Sequence, residues 1–100
     1  MYRMTILYGT PTDPEAFRRY YYDTHIPIAR RMGGLTGWNL SWMDDDSGYI
    51  LVAELYTESA EAMTAILESA EGQAASADLD NFATGTVTFL TGEEEQVALA

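Results

Sequence analysis

Four segments of the chain alternate in a way that suits only a β-strand. Successive strand side chains point to opposite faces, so in Tyr2–Tyr8 the residues Met4, Ile6 and Tyr8 fall on one side and Arg3, Thr5 and Leu7 on the other. The same sorting sets Trp38, Leu40 and Trp42 against Asn39, Ser41 and Met43 in the second segment, Gly37–Met43. In Tyr49–Tyr56 it sets Leu51, Ala53 and Leu55 against Ile50, Val52, Glu54 and Tyr56. The last strand, from Thr84 or Gly85 to Thr91, carries Val87 and Phe89 against Thr86, Thr88 and Leu90. The first set is almost wholly apolar and must meet a layer of helices. The second combines Leu7, Ile50, Val52 and Leu90 with hydroxyl, amide and carboxylate groups, an apolar patch of the kind that marks an interface. A second copy closing over this face is expected, giving a homodimer.

Helix signals fill the gaps. In Thr12-Asp13-Pro14-Glu15 a capping side chain precedes a proline, whose missing N–H costs nothing in a first turn, and an acid suited to a helix N-terminus. This predicts a helix through Phe17 to about Thr24, stopped because Pro27 disfavours helical geometry at Ile26. Pro27 then opens a short second helix, Ile28 to Met32, which Gly33-Gly34 ends. Asp44 to Gly48 reads as the turn of a hairpin. Ser59 caps a helix with Met63, Ile66, Leu67 and Ala70 at helical spacing, and Glu71 to about Phe82 presents Ala75, Leu79 and Phe82 as an apolar stripe. From Gly92 the chain reads as an acidic tail. The order strand, helix, strand, strand, helix, strand, with no linker or low-complexity run, predicts one α+β domain over residues 1–100. Its fold is ferredoxin-like βαββαβ, an antiparallel sheet with both helices on one face, and residues 93–100 form the tail.

Composition removes whole classes of function. The absence of cysteine excludes a disulfide scaffold, a thiolate nucleophile and a thiolate metal site. Five arginines and no lysine stand against sixteen acidic residues, a formal net charge of −11, which disfavours nucleic acid and anionic membrane surfaces as partners. No apolar run approaches the ~20 residues of a membrane span, and the N-terminus lacks the pattern of a signal peptide; a cytoplasmic location is expected. There is no glycine-rich phosphate loop, nucleophile elbow or dinucleotide fingerprint. Asp44-Asp45-Asp46 lacks the alternating spacing and closing glutamate of a calcium loop. No metal and no cofactor is expected, and acid–base work in an apolar pocket is the chemistry left.

His25 is the only histidine, and its unperturbed pKa lies near neutrality. It falls at steps of four from Phe17 and Tyr21, on a stripe facing the sheet. Arg18, Arg19, Arg30 and Arg31 flank it, positive charge that can attract an anionic or phenolate-bearing ligand and lower the imidazole pKa. A histidine at a helix end can equally serve only the helix carbonyls and dipole, and Arg18 and Arg19 can pair with Glu15 and Asp23 on the helix surface. Tyr8, Trp38 and Trp42, with Phe17 and Tyr21, either line a flat pocket for a ring-shaped ligand or simply fill the core.

Leu7-Tyr8-Gly9, then Pro11-x-Asp13-Pro14-x-x-Phe17-x-x-Tyr20-Tyr21, then His25-Ile26-Pro27, resembles the N-terminal signature of EthD-domain proteins. Ala53-Glu54-Leu55-Tyr56 and Glu71-Gly72-Gln73-Ala74-Ala75 through Asp78-Leu79-x-Asn81-Phe82 resemble the family's later segments. The resemblance implies a dimeric α/β barrel built from ferredoxin-like halves. It also implies His25 as the catalytic residue, Tyr21 and Tyr8 positioning substrate or donating a hydrogen bond, and Phe17 and Trp38 as the pocket wall. Trp42 and Arg30 complete the expected substrate contacts. The activity so implied is a cofactor-independent isomerase, lyase or cyclase acting on a planar aromatic, lactone or polyketide-like compound. The alternatives are a carrier of a hydrophobic metabolite and a cofactor-free monooxygenase of phenols.

Overall fold

The computed structural model describes all residues 1–100. Strand β1 spans Tyr2–Gly9, β2 Gly37–Trp42, β3 Tyr49–Thr57 and β4 Val87–Glu93. They form one antiparallel sheet in the order β2-β3-β1-β4. Between them lie helices α1 (Pro14–Tyr20), α2 (Ile26–Ala29), α3 (Ala60–Glu68) and α4 (Ala70–Asp78). The fold is ferredoxin-like, with its helices on one face of the sheet. None of them is long and apolar enough to cross a membrane.

The register confirms the sorting of faces. Trp38, Leu55 and Met4 lie side by side across three strands, as do Leu40, Ala53, Ile6 and Phe89, and Trp42, Leu51, Tyr8 and Val87. Burial is deepest on the two central strands: Met4, Ile6, Tyr8, Leu51, Ala53 and Leu55 are all buried, whereas Phe89, on the edge strand, is 49% exposed. On the open face Arg3 bonds Thr5 and lies 3.5 Å from Glu54. The tail begins later than the sequence pattern indicates, because Glu93 still pairs with Tyr2. Glu94 is then held by the Met1 carbonyl and the Tyr56 hydroxyl.

The sharpest departure from expectation lies at Pro27. The first helix does not stop at Thr24: Tyr21–His25 forms a π-helical turn that runs without a break into α2, and His25 and Ile26 both keep helical geometry. Proline in an α-helix clashes with the carbonyl four residues back. The wider turn, in which the Ile26 N–H reaches the Tyr21 carbonyl five residues away, gives the ring room. It also realigns the helix. Steps of four drift by about 40° each in an α-helix, but one extra residue in a turn brings Phe17, Tyr21, His25 and Ala29 back onto a single line, and all four are buried. The second helix closes at Ala29 rather than Met32.

Ser69 divides the other helical layer. Its extended backbone ends α3, and its hydroxyl accepts the Gly72 N–H while donating to the Ile66 carbonyl at 2.5 Å. The two helices pack so closely there that a Cβ on Gly72 would fall on the Ile66 carbonyl oxygen. Gly72→Ala is therefore expected to destabilise the fold by about 1–3 kcal/mol, the usual range for overpacking. Gly33→Ala, where a Cβ meets nothing within 4 Å, is the control in urea unfolding.

Candidate active site

Between the sheet and the helices lies a cavity of about 490 Å³, mouth included. Met4, Ile6 and Leu55 form its floor, Tyr21, His25 and Ala29 one wall, and Ala75 and Leu79 the other. Phe89 stands at its edge, which accounts for the exposure of a large apolar side chain on the helix-covered face. The lining carries no arginine, aspartate or glutamate.

His25 lies in this wall, 5% exposed, and its Nδ1 is 2.9 Å from Oδ2 of Asp78, also 5% exposed. Asp78 is the last residue of α4, and the sequence reading assigned it no role. Its signal is nevertheless present: Ala75, Asp78, Leu79 and Phe82 repeat at steps of three, one and three, so a carboxylate occupies the apolar stripe. A buried polar residue is the informative exception in such a stripe. The other carboxylate oxygen, Oδ1, accepts from the Tyr20 hydroxyl at 2.7 Å and from the Asn81 amide at 2.9 Å. Burial opposes the charged form of Asp78, but the hydrogen bonds from Asn81, Tyr20 and His25 outweigh it and hold the carboxyl below its ordinary pKa.

The carboxylate is an acceptor, so His25 donates its Nδ1–H to it. Burial lowers the imidazole pKa, and the bond and charge of Asp78 only partly restore it. The lowering expected from flanking arginines thus has a different cause, desolvation. The lowered pKa favours the neutral ring, and with the proton on Nδ1 it is Nε2 that carries the lone pair. Packing of the ring against Phe82 (4.8 Å between centroids) and Tyr21 (5.1 Å) fixes its plane.

Tyr8, Tyr21 and Trp38 join His25 in the lining. The Tyr8 hydroxyl and the Trp38 indole N–H are buried and neither meets an acceptor in good hydrogen-bond geometry, the Trp38 N–H lying near the Tyr21 hydroxyl without a well-formed bond. Burial pushes the Tyr8 phenol far above its ordinary pKa, and Tyr21 and Asp78 push the same way. Burial raises Tyr21 too, with the Trp38 N–H opposing it. Both phenols are hydrogen-bond donors at any physiological pH.

The remaining expected contacts lie outside the cavity lining. Phe17 is core, edge-on to Tyr8 at 5.4 Å and tilted against Phe82 at 5.1 Å. Trp42 donates its indole N–H to Tyr22 at 3.0 Å and is covered by the Arg18 guanidinium at 4.5 Å. Arg18 therefore stacks on an aromatic ring instead of pairing with a helix acid. Arg30 is exposed, as are Arg19 and Arg31. Asp44, Asp45 and Asp46 form an exposed turn, and no three His, Asp or Glu side chains group as metal ligands.

The EthD domain family's sequence model matches residues 9–86. An uncharacterized 11.0 kDa protein from the thcB–thcC intergenic region of Rhodococcus erythropolis is 39% identical, over 97% of this chain and 98% of that one. An EthD-family protein of Bacillus halodurans, solved by crystallography, superposes with a TM-score of 0.87 at 29% identity, covering 95% of this chain and 99% of that one. SnoaB, a cofactor-independent oxygenase from Streptomyces nogalater, shares the fold at 14% identity (TM-score 0.71; 96% and 94% covered). A dimeric protein of unknown function from Bacteroides fragilis shares it at 8% (TM-score 0.71; 93% and 95% covered). With the family matched over most of its length and a relative aligned nearly end to end, this chain belongs to the EthD domain family.

Proposed function

We propose that the chain is a small-molecule enzyme that moves a proton on a planar aromatic, lactone or polyketide-like carbonyl compound, with His25 as the base and no bound cofactor. The observation that carries this reading is the Asp78-held imidazole of His25 in the lining of an apolar cavity, with Nδ1 taken by the carboxylate and Nε2 left for a ligand. Nε2 takes a proton from the carbon next to the carbonyl, and the C–H electron pair moves through the carbon framework onto oxygen. The enolate oxygen is held by neutral phenols, Tyr8 and Tyr21, which bind developing negative charge without themselves ionising. Asp78 stabilises the imidazolium formed in this step and orients its ring. Return of the proton to a different carbon is an isomerisation. Loss of a β-hydroxyl together with that proton is a dehydration, releasing one water.

SnoaB's description as an oxygenase motivates a second reading on the same cavity. There the enolate or phenolate reduces dioxygen, one oxygen atom staying on carbon and the other leaving as water. Oxygen uptake with 1-naphthol separates the two.

We propose further that two copies meet through the open face, where Leu7, Ile50 and Val52 lie half-buried and Leu90 is 53% exposed. The dimeric neighbour of the same fold supports this. Native mass spectrometry is expected to show a dimer, and Leu7→Asp to shift it to monomer; a wild-type monomer contradicts the proposal.

Proton abstraction is read directly as deuterium incorporation at the carbon beside the carbonyl of 1-tetralone in D2O. A positioned base contributes about 10²–10⁴-fold, so His25→Gln is expected to lose exchange by that factor, and Asp78→Asn by roughly 10-fold or more. Because the imidazole pKa is lowered, the active neutral form persists on acidification through the ordinary histidine value. The wild-type rate should therefore be flat above pH ~6.5 and fall only below it. Unchanged exchange in His25→Gln refutes the base; binding without any exchange identifies a carrier.

A further inference from the structure

We infer that the cavity selects uncharged molecules bearing two acceptor oxygens, one met by the Tyr8 hydroxyl and the other by the Trp38 indole N–H. This deepens the reading of the cavity as a substrate site and rests on it.

Two buried donors without partners are the starting point. An indole N–H can only donate, and a buried donor with no acceptor is an unfavourable arrangement that a ligand oxygen relieves. Both residues line the same cavity, which otherwise presents mainly apolar surface. Their backbones come from different strands. Tyr8 pairs with Leu51 and Trp38 with Leu55, so β3 lies between their strands and they stand four residues apart along it. At ordinary strand spacings their backbones are roughly 16 Å apart. Both side chains nevertheless line the one cavity and flank Tyr21, so their donors reach acceptors carried on a single ring system.

Charge selection follows from what the lining lacks. With no arginine or lysine in it, a carboxylate or phosphate entering the cavity would be stripped of water with no counter-charge. Asp78, behind His25, adds repulsion, and the net charge of −11 opposes the approach of an anion. A cation gains little, since both oxygens of Asp78 are already taken by Tyr20, Asn81 and His25. Trp38 becomes a specificity-determining donor, a role beyond that of a hydrophobic wall.

A set of bicyclic probes of similar size tests this by calorimetry: tetralin with no oxygen, 1-tetralone with a carbonyl, chroman with an ether, 4-chromanone with both, and 1-naphthoate as an anion. The expected order is 4-chromanone above 1-tetralone and chroman, each oxygen adding about 10-fold, the scale set by a satisfied buried donor, with tetralin weakest among the neutral probes. 1-Naphthoate should show no binding. Tyr8→Phe and Trp38→Phe should each remove one of the two increments, read as the ratio of 4-chromanone to tetralin affinity within each variant, and circular dichroism shows that the variants fold. Binding of 1-naphthoate as tight as that of 4-chromanone overturns the inference. So does a full 4-chromanone preference retained in both variants, or tetralin binding as tightly as 4-chromanone to the wild type. Because these affinities involve no turnover, the series succeeds or fails independently of the exchange loss in His25→Gln.

Discussion

The hydrogen bond between His25 and Asp78 joins residues 53 positions apart and ties the two helical layers together above the sheet. Neither group would sit comfortably in the core alone. An isolated buried carboxylate is costly, and Asp78 is tolerated because all three of its neighbours donate to it. The arrangement has a direction: Tyr20 and Asn81 fix the carboxylate, the carboxylate fixes the tautomer, and the tautomer leaves the other imidazole nitrogen free. The proposed chemistry at the cavity depends on that sequence of constraints.

The π turn is what makes the contact possible. Without the extra residue ahead of Pro27, a stripe at steps of four would wind away from the sheet, and His25 and Ala29 would drift off the line of Phe17 and Tyr21. Such turns recur at functional sites, and here the turn holds both Tyr21 and His25. A proline that reads as a helix stop is accommodated by one local widening, and the same widening aims the histidine.

Much of this was legible beforehand, for definable reasons. The period of two in each strand predicted which residues face the helices, because a one-residue slip would reverse every assignment. The Phe17-Tyr21-His25 stripe and its EthD-like setting pointed to the histidine. Asp78 went unassigned because a carboxylate at a helix end is ordinary on a surface, although its place in the stripe of Ala75, Leu79 and Phe82 marks it as inward-facing. The continuation through Pro27 was missed because the local rule for the residue before proline describes an α-helix, not a π turn. Phe17 and Trp42 share an aromatic cluster with Tyr21 yet lie outside the cavity lining, a distinction that spacing alone cannot make.

The central claim is that burial keeps His25 neutral while Asp78 fixes its proton on Nδ1 and leaves Nε2 free. Nitrogen-15 NMR of the imidazole, followed from pH 5 to 8 in the wild type and in Asp78→Asn, tests it most directly. The account predicts the Nδ1–H tautomer at pH 7 and a pKa below the ordinary value near 6.5. In Asp78→Asn the pKa falls further, since the carboxylate favours the charged ring. A ring protonated at pH 7, or a neutral ring with its proton on Nε2, would contradict it.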